Sequence, residues 1–147
     1  MTESPRKAGS KKAKVLEITK EVVIDAPIEK VWAALTDPET VGEWMGDEKI
    51  KVNLKVGGKY ALFDGVTTGK FTAIEKPSLL EYTWRQAEWE DAEPDTLVRW
   101  EFEADGRKTR LHLSHSKFTD QQNRDDHDEG WDSYFLEPMT EWLETKS

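Results

Sequence analysis

Between Lys49 and Ser116 the hydrophobic pattern repeats every two residues, in six short runs separated by turn residues. The runs cover residues 50–54, 59–63, 68–75, 79–86, 96–104 and 108–116, and Gly57-Gly58, Asp64-Gly65, Lys76-Pro77-Ser78, residues 91–95 and Asp105-Gly106 punctuate them. Side chains of a strand alternate between two faces. Leu80, Tyr82 and Trp84, then Val98, Trp100 and Phe102, then Leu111, Leu113 and His115 each share one face. Glu81, Arg85, Arg99, Glu101, Glu103, Arg110 and His112 fall mostly opposite. Such closely spaced runs predict an antiparallel meander with one dry and one wet face.

A sheet with one apolar face must be covered, and both ends of the chain supply helical spacing. Residues 15–25 form one more half-buried strand, with Ile18, Val22 and Ile24 on one parity and Lys20 as the exception. Pro27 suits a first helical position, and Ile28, Val31, Trp32 and Leu35 follow at helical intervals. Thr36 or Asp37 then caps a second short helix carrying Val41, Trp44 and Met45. After Thr119 the helical period returns: Trp131, Tyr134, Phe135, Met139, Trp142 and Leu143 recur at steps of three and four. The class expected is α+β, with seven antiparallel strands and all helices on one side.

The stretch DDHDEGWDSYFLEPMTEW, residues 125–142, joins a run of acids around His127 to that aromatic stripe. As a calcium loop it fails at several positions: Gly130 would be sixth, but His127, Glu129 and Leu136 occupy the third, fifth and twelfth. The carboxylates are expected instead in the first turn of the last helix, where each interacts with the positive end of the helix dipole by about 0.3–1 kcal/mol. Pro138 removes a helical donor and would cost about 3 kcal/mol in a regular interior, so a kink or break is expected near residues 134–138.

Composition excludes several chemistries. Cysteine is absent, which removes disulfides, thiolate catalysis and cysteine-based metal sites. Five of the 21 basic groups and one of the 30 acidic groups lie in residues 1–14, so the remainder carries 16 against 29, a net charge of −13. A body that acidic repels a phosphate backbone, so no nucleic-acid partner is expected. Residues 1–14 are expected to be a disordered basic tail and residues 15–147 a single domain. No apolar run is long enough to span a membrane, and no secretory signal is evident, so a cytoplasmic chain without membrane insertion is expected, as a monomer. His112 and His115, three apart on one strand, face opposite sides and cannot share a metal ion. No metal site, no cofactor and no catalytic constellation is expected.

The segment ITKEVVIDAPIEKVWAALTDPETVGEWM, the VGGKY that follows, KPSLLEYTW, TRLHLSHSKF and GWDSYFLEPMTEWLE together resemble the activator-of-heat-shock-protein-90-ATPase-like (AHSA-type) branch of the START-related, Bet v-like (SRPBCC) superfamily. The resemblance runs in order over residues 18–144, anchored by Ala26-Pro27 with Val31-Trp32 and by Gly130-Trp131 opening the last helix. It implies a helix-grip fold: a curved seven-stranded antiparallel sheet wrapping a long C-terminal helix, with two short helices after the first strand. A curved sheet and a straight helix cannot touch along their whole length, so a groove is expected between them. Its candidate lining is Trp44, Tyr60, Tyr82, Trp84, Trp100, Phe102, Leu113, His115, Trp131, Phe135 and Met139.

Three functions remain open at this point. A small hydrophobic or aromatic ligand held in the groove is favoured. A co-chaperone or other protein-interaction role, in a stress response, is implied by the branch. It is counted against by the 14 residues before the first strand, because the eukaryotic activator carries a separate N-terminal chaperone-binding domain. A cyclase- or hydrolase-type enzyme is the third, with His115 as its one acid–base candidate.

Overall fold

The computed structural model describes residues 16–146. Seven strands form one antiparallel sheet: β1 (Ile18–Ile24), β2 (Lys51–Val52), β3 (Lys59–Leu62), β4 (Thr67–Glu75), β5 (Leu79–Gln86), β6 (Thr96–Asp105) and β7 (Lys108–Ser116). Their order across the sheet is β1-β7-β6-β5-β4-β3-β2, so β2 to β7 run as a meander and β1 closes onto the last strand. Two short helices, α1 (Ile28–Thr36) and α2 (Pro38–Met45), follow β1. The C-terminal helix α3 spans residues 121–146 in three parts, α-helical Gln121–Gly130, a π-helical turn Trp131–Leu136 and α-helical Glu137–Lys146. This is the helix-grip architecture expected from the sequence. The basic tail of residues 1–14 lies outside the described residues.

Alternation decides which side each strand buries. Leu80, Tyr82, Trp84, Val98, Trp100, Phe102, Leu111, Leu113 and His115 are all buried, and α1, α2 and α3 cover that face. On the wet face the cross-strand pair Glu81 and Arg99 meets at 3.2 Å, and Arg110 meets Glu21 at 2.9 Å. Lys20, the polar exception on the inward parity of β1, forms ion pairs with Asp128 and, at 3.1 Å, with Asp132 of α3. The break in the strand pattern is thus a clamp between the edge strand and the helix.

Gly69 shows why one strand position carries no side chain. Tyr60 sits opposite it across β3 and β4 and donates from its hydroxyl to the carbonyl of Thr83 on β5, at 2.6 Å. A Cβ on Gly69 would lie 1.9 Å from that same carbonyl oxygen and 2.6 Å from the Tyr60 ring. The bare backbone lets the tyrosine lie flat across the sheet.

Two expectations for the C-terminal helix are corrected. It begins at Gln121, capped by Asp120, whose carboxylate accepts from the Asn123 N–H at 2.9 Å. Gly130-Trp131 therefore falls in mid-helix rather than at its start, and Asp125–Glu129 lie beyond a first turn that contains no acid. The opening turns have no apolar stripe, so periodicity could not detect them. They are held by side chains four apart: Gln121 donates to Asp125 and Gln122 to Asp126, each at 2.9 Å, and Arg124 pairs with Asp128 at 3.0 Å.

Pro138 does not end the helix either. The preceding turn widens, and the Glu137 N–H donates to the carbonyl of Asp132, five residues back. This makes room for a proline ring and its missing donor while the helix continues to Lys146, so the irregularity expected near residues 134–138 takes the form of a π turn. The widening has a second effect. Asn123, His127, Trp131, Phe135, Met139 and Leu143 are spaced four apart, and in a regular α-helix such a stripe drifts by roughly 40° per step. The π turn takes up part of that drift, so the last four all remain buried.

A candidate ligand-binding cavity

The apolar face and α3 diverge near the end of β5, leaving a cavity of about 430 Å³ that opens to solvent. That is within the range of small-molecule sites. Trp84 and Gln86 of β5, Thr67 of β4 and Phe63 form one wall. Asn123, Asp126, His127, Gly130, Trp131, Tyr134 and Phe135 of α3 form the other, and Glu88 stands at the mouth. Arg85 fixes the loop bearing Glu88 by donating to the carbonyls of Glu90 and Glu93 at 2.7 and 2.6 Å. Phe63 holds its place in a left-handed backbone conformation, φ 53°, with its N–H donating to Asp47 at 2.6 Å. Such a conformation costs a bulky residue on the order of 1–3 kcal/mol, and the carboxylate acceptor helps to offset it.

Two tryptophan–histidine bonds lock the aromatic floor. The Trp84 indole donates to His127 Nε2 at 3.1 Å, and the Trp131 indole donates to His115 Nδ1 at 3.0 Å. An indole N–H can only donate, so each histidine nitrogen so engaged is an acceptor and carries no proton. The proton of His115 therefore sits on Nε2 and is donated to Thr96 Oγ1 at 2.7 Å, and the Thr96 hydroxyl donates to the Trp84 carbonyl at 3.0 Å. On His127 the proton sits on Nδ1 and is donated to the Asn123 carbonyl at 2.9 Å. Burial, reinforced by His127, holds the His115 pKa well below the usual histidine value. Burial also lowers that of His127, against the opposing influence of the Asn123 carbonyl, Asp126 and Glu88. Both imidazoles are neutral near pH 7. The rings themselves interlock, with Trp84 and Trp131 centroids 5.0 Å apart and Trp131 and Phe135 4.5 Å apart.

The sequence candidates divide into three groups. Trp84, Trp131 and Phe135 line the cavity. Trp44, Tyr60, Tyr82 and again Phe135 surround a second space of only about 30 Å³, room for about one water molecule. Phe135 is the partition between the two. Trp100, Phe102, Leu113 and Met139 pack in the core, where the Trp100 indole donates to the Tyr82 hydroxyl at 2.9 Å. His115 is 0 % exposed and stands behind Trp131, so the acid–base candidate does not face the cavity. Among the described residues no group of three or more His, Asp or Glu is placed to hold a metal ion. His127, Asn123, Tyr134 and Phe63 were not among the candidates. The four-residue spacing of Asn123, His127, Trp131 and Phe135 is the signal that would have found the first two.

The family model described as Activator of Hsp90 ATPase homolog 1-like protein matches residues 25–144. The chain belongs to this family. Among solved structures it is similar to an HSP90 activator from Plasmodium falciparum, at 28% identity and TM-score 0.74, over 82% of this chain and 90% of that one. It is similar to CalU16 from Micromonospora echinospora at 31% identity and TM-score 0.68, over 79% of this chain and 69% of that one. It also matches MLL2253 from Mesorhizobium loti at 27% identity and TM-score 0.77, over 89% and 98% of the two chains. Among curated proteins it is 29% identical over 73 residues to the uncharacterized protein C1711.08 of Schizosaccharomyces pombe, half of this chain and 21% of that protein's length. The AHSA-type domain is thus a START-like module with an aromatic cavity. No helix among the described residues is long and apolar enough to cross a membrane.

Proposed function

We propose that this domain binds a small hydrophobic or aromatic ligand in the cavity between the sheet and the C-terminal helix. The observation that carries the reading is that the space stays open beside large rings that are not free to collapse into it. Swinging Trp84 or Trp131 inward would break a bond to a buried or half-buried histidine, at about 1–3 kcal/mol for each group left unsatisfied. A flat ligand against these rings gains roughly 25 cal/mol for each Å² of apolar area removed from water.

Gly130 gives the test. It lines the cavity in mid-helix with ordinary backbone angles, and a Cβ there would meet only Tyr134, at 3.8 Å. Gly130→Leu fills the space from the helix side. Titration of a neutral naphthalene such as naphthalenemethanol into both proteins should show binding to the wild type, weakened at least about tenfold by the substitution. Equal binding by the two places the ligand elsewhere.

A second reading, a chaperone ATPase-activator role, is supported by the family description and by the Plasmodium relative's designation as an HSP90 activator. Stimulation of a purified HSP90 ATPase by the full chain tests it. An unchanged rate over a range of stoichiometries counts against it.

A further inference from the structure

The cavity is electrically one-sided. Glu88 and Asp126 line it at the mouth, and among the described residues no lysine or arginine does. Neither carboxylate has an ion-pair partner among the described residues; Asp126 accepts from the uncharged Gln122. Neighbouring cations are engaged elsewhere, Arg124 and Lys20 with Asp128, and Arg85 with Asp95. The histidine on the wall cannot supply a positive charge without loss, because His127 Nε2 accepts from Trp84 and its Nδ1 donates to Asn123. Both carboxylates lie near enough to His127 for their fields to favour its protonated form. Deeper in, the walls are aromatic rings, whose faces attract cations and repel anions. A cleft lined by one sign of charge, in a body of net −13, also concentrates counter-ions at its mouth.

We propose that the ligand is an organic cation: a flat apolar body against Trp84, Trp131 and Phe135, carrying an amine or guanidinium that sits at the mouth between Glu88 and Asp126. The inference rests on the cavity being a binding site, and it excludes the carboxylates and phosphates that an apolar cavity alone would admit.

Three naphthalenes of similar shape separate these statements: naphthylmethylamine as cation, naphthalenemethanol as neutral compound and naphthoate as anion. Each is titrated calorimetrically into the wild type and into the double variant Glu88→Gln, Asp126→Asn. Both positions are exposed, so the variant keeps the fold. At low ionic strength the amine should bind about tenfold more tightly than the alcohol, a few-fold from each exposed carboxylate, and naphthoate should bind weakest. The preference should fall to about twofold or less in the double variant, and likewise in the wild type at about 0.5 M salt. Equal affinities of amine and alcohol for the wild type, or a preference for naphthoate, overturn the cation assignment and leave the cavity reading standing. An amine preference unchanged in the double variant overturns the role of the two carboxylates. Binding of none of the three overturns both.

Discussion

The indole N–H of Trp84, on β5, donates to Nε2 of His127, 43 residues further along the chain on α3, at 3.1 Å. This bond fixes the histidine as a neutral Nδ1–H tautomer and ties the helix to the sheet at the cavity. A proton on Nε2 would turn donor against donor. The folded-state pKa values of His127 and of the more deeply buried His115 both lie below the usual value, with burial as the main cause. The unfolded chain therefore binds protons first as pH falls. Stability should be independent of these two groups above about pH 6.5 and decline below it, with a limiting slope of about 1.4 kcal/mol per pH unit for His115. The decline from His127 should be shallower, because solvent and the carboxylates Asp126 and Glu88 oppose its shift. Urea unfolding at pH 7.5 and 5.5 checks this, and His127→Gln should reduce the pH dependence. Stability that rises on acidification through this window would contradict it.

Thr96 connects the second histidine to the sheet. Its hydroxyl accepts from His115 and donates to the Trp84 carbonyl within a fully buried network. Thr96→Val keeps the shape of the side chain and leaves the buried His115 Nε2–H without its acceptor, so a loss of about 1–3 kcal/mol is expected in denaturant unfolding. A neutral substitution would show that the network is not closed as described.

Gly130 interrupts a helix whose backbone does not require it. Gly130→Ala should raise stability by about 0.5–1 kcal/mol, since the added methyl meets only ordinary contact and the unfolded chain loses freedom. Thermal unfolding decides this, and destabilisation would mean that the surrounding space is smaller than the cavity volume indicates.

Gly69 carries the opposite expectation. Its Cβ would overlap the Thr83 carbonyl, so Gly69→Ala should cost about 1–3 kcal/mol by forcing β4 from β5. Hydrogen exchange should quicken first in those two strands; unchanged exchange there would count against the close approach.

The strands were legible because period-two burial leaves a direct imprint: residues 79–86 and 108–116 coincide with β5 and β7. The short helices were equally plain, since Pro27 and Asp37 mark their starts. The opening turns of α3 were not, because Gln121 to Asp128 form a helix through polar pairs and expose almost nothing apolar to read. The same gap concealed half of the site. Trp84, Trp131 and Phe135 stood out as inward aromatics, whereas His127 lay in an acidic run and Asn123 ahead of it. Parity placed His115 inward but gave no depth, and only three dimensions show that Trp131 stands between it and the cavity. Pro138 signalled an irregularity; that it would take the form of a widened turn depends on the stripe that continues through Met139 and Leu143.

The central claim, that an apolar ligand lies against a floor made by Trp84 and Trp131, is tested most directly by following the side-chain indole N–H resonances during titration with naphthalenemethanol. The chain has seven tryptophans, and Trp44 and Trp100 serve as internal controls because their indoles bond to Ala34 and Tyr82, away from the cavity. Trp84 and Trp131 should shift together along one saturating curve while Trp44 and Trp100 move little. Shifts confined to Trp44 and Trp100, or no shift at any indole at saturating compound, would contradict the claim.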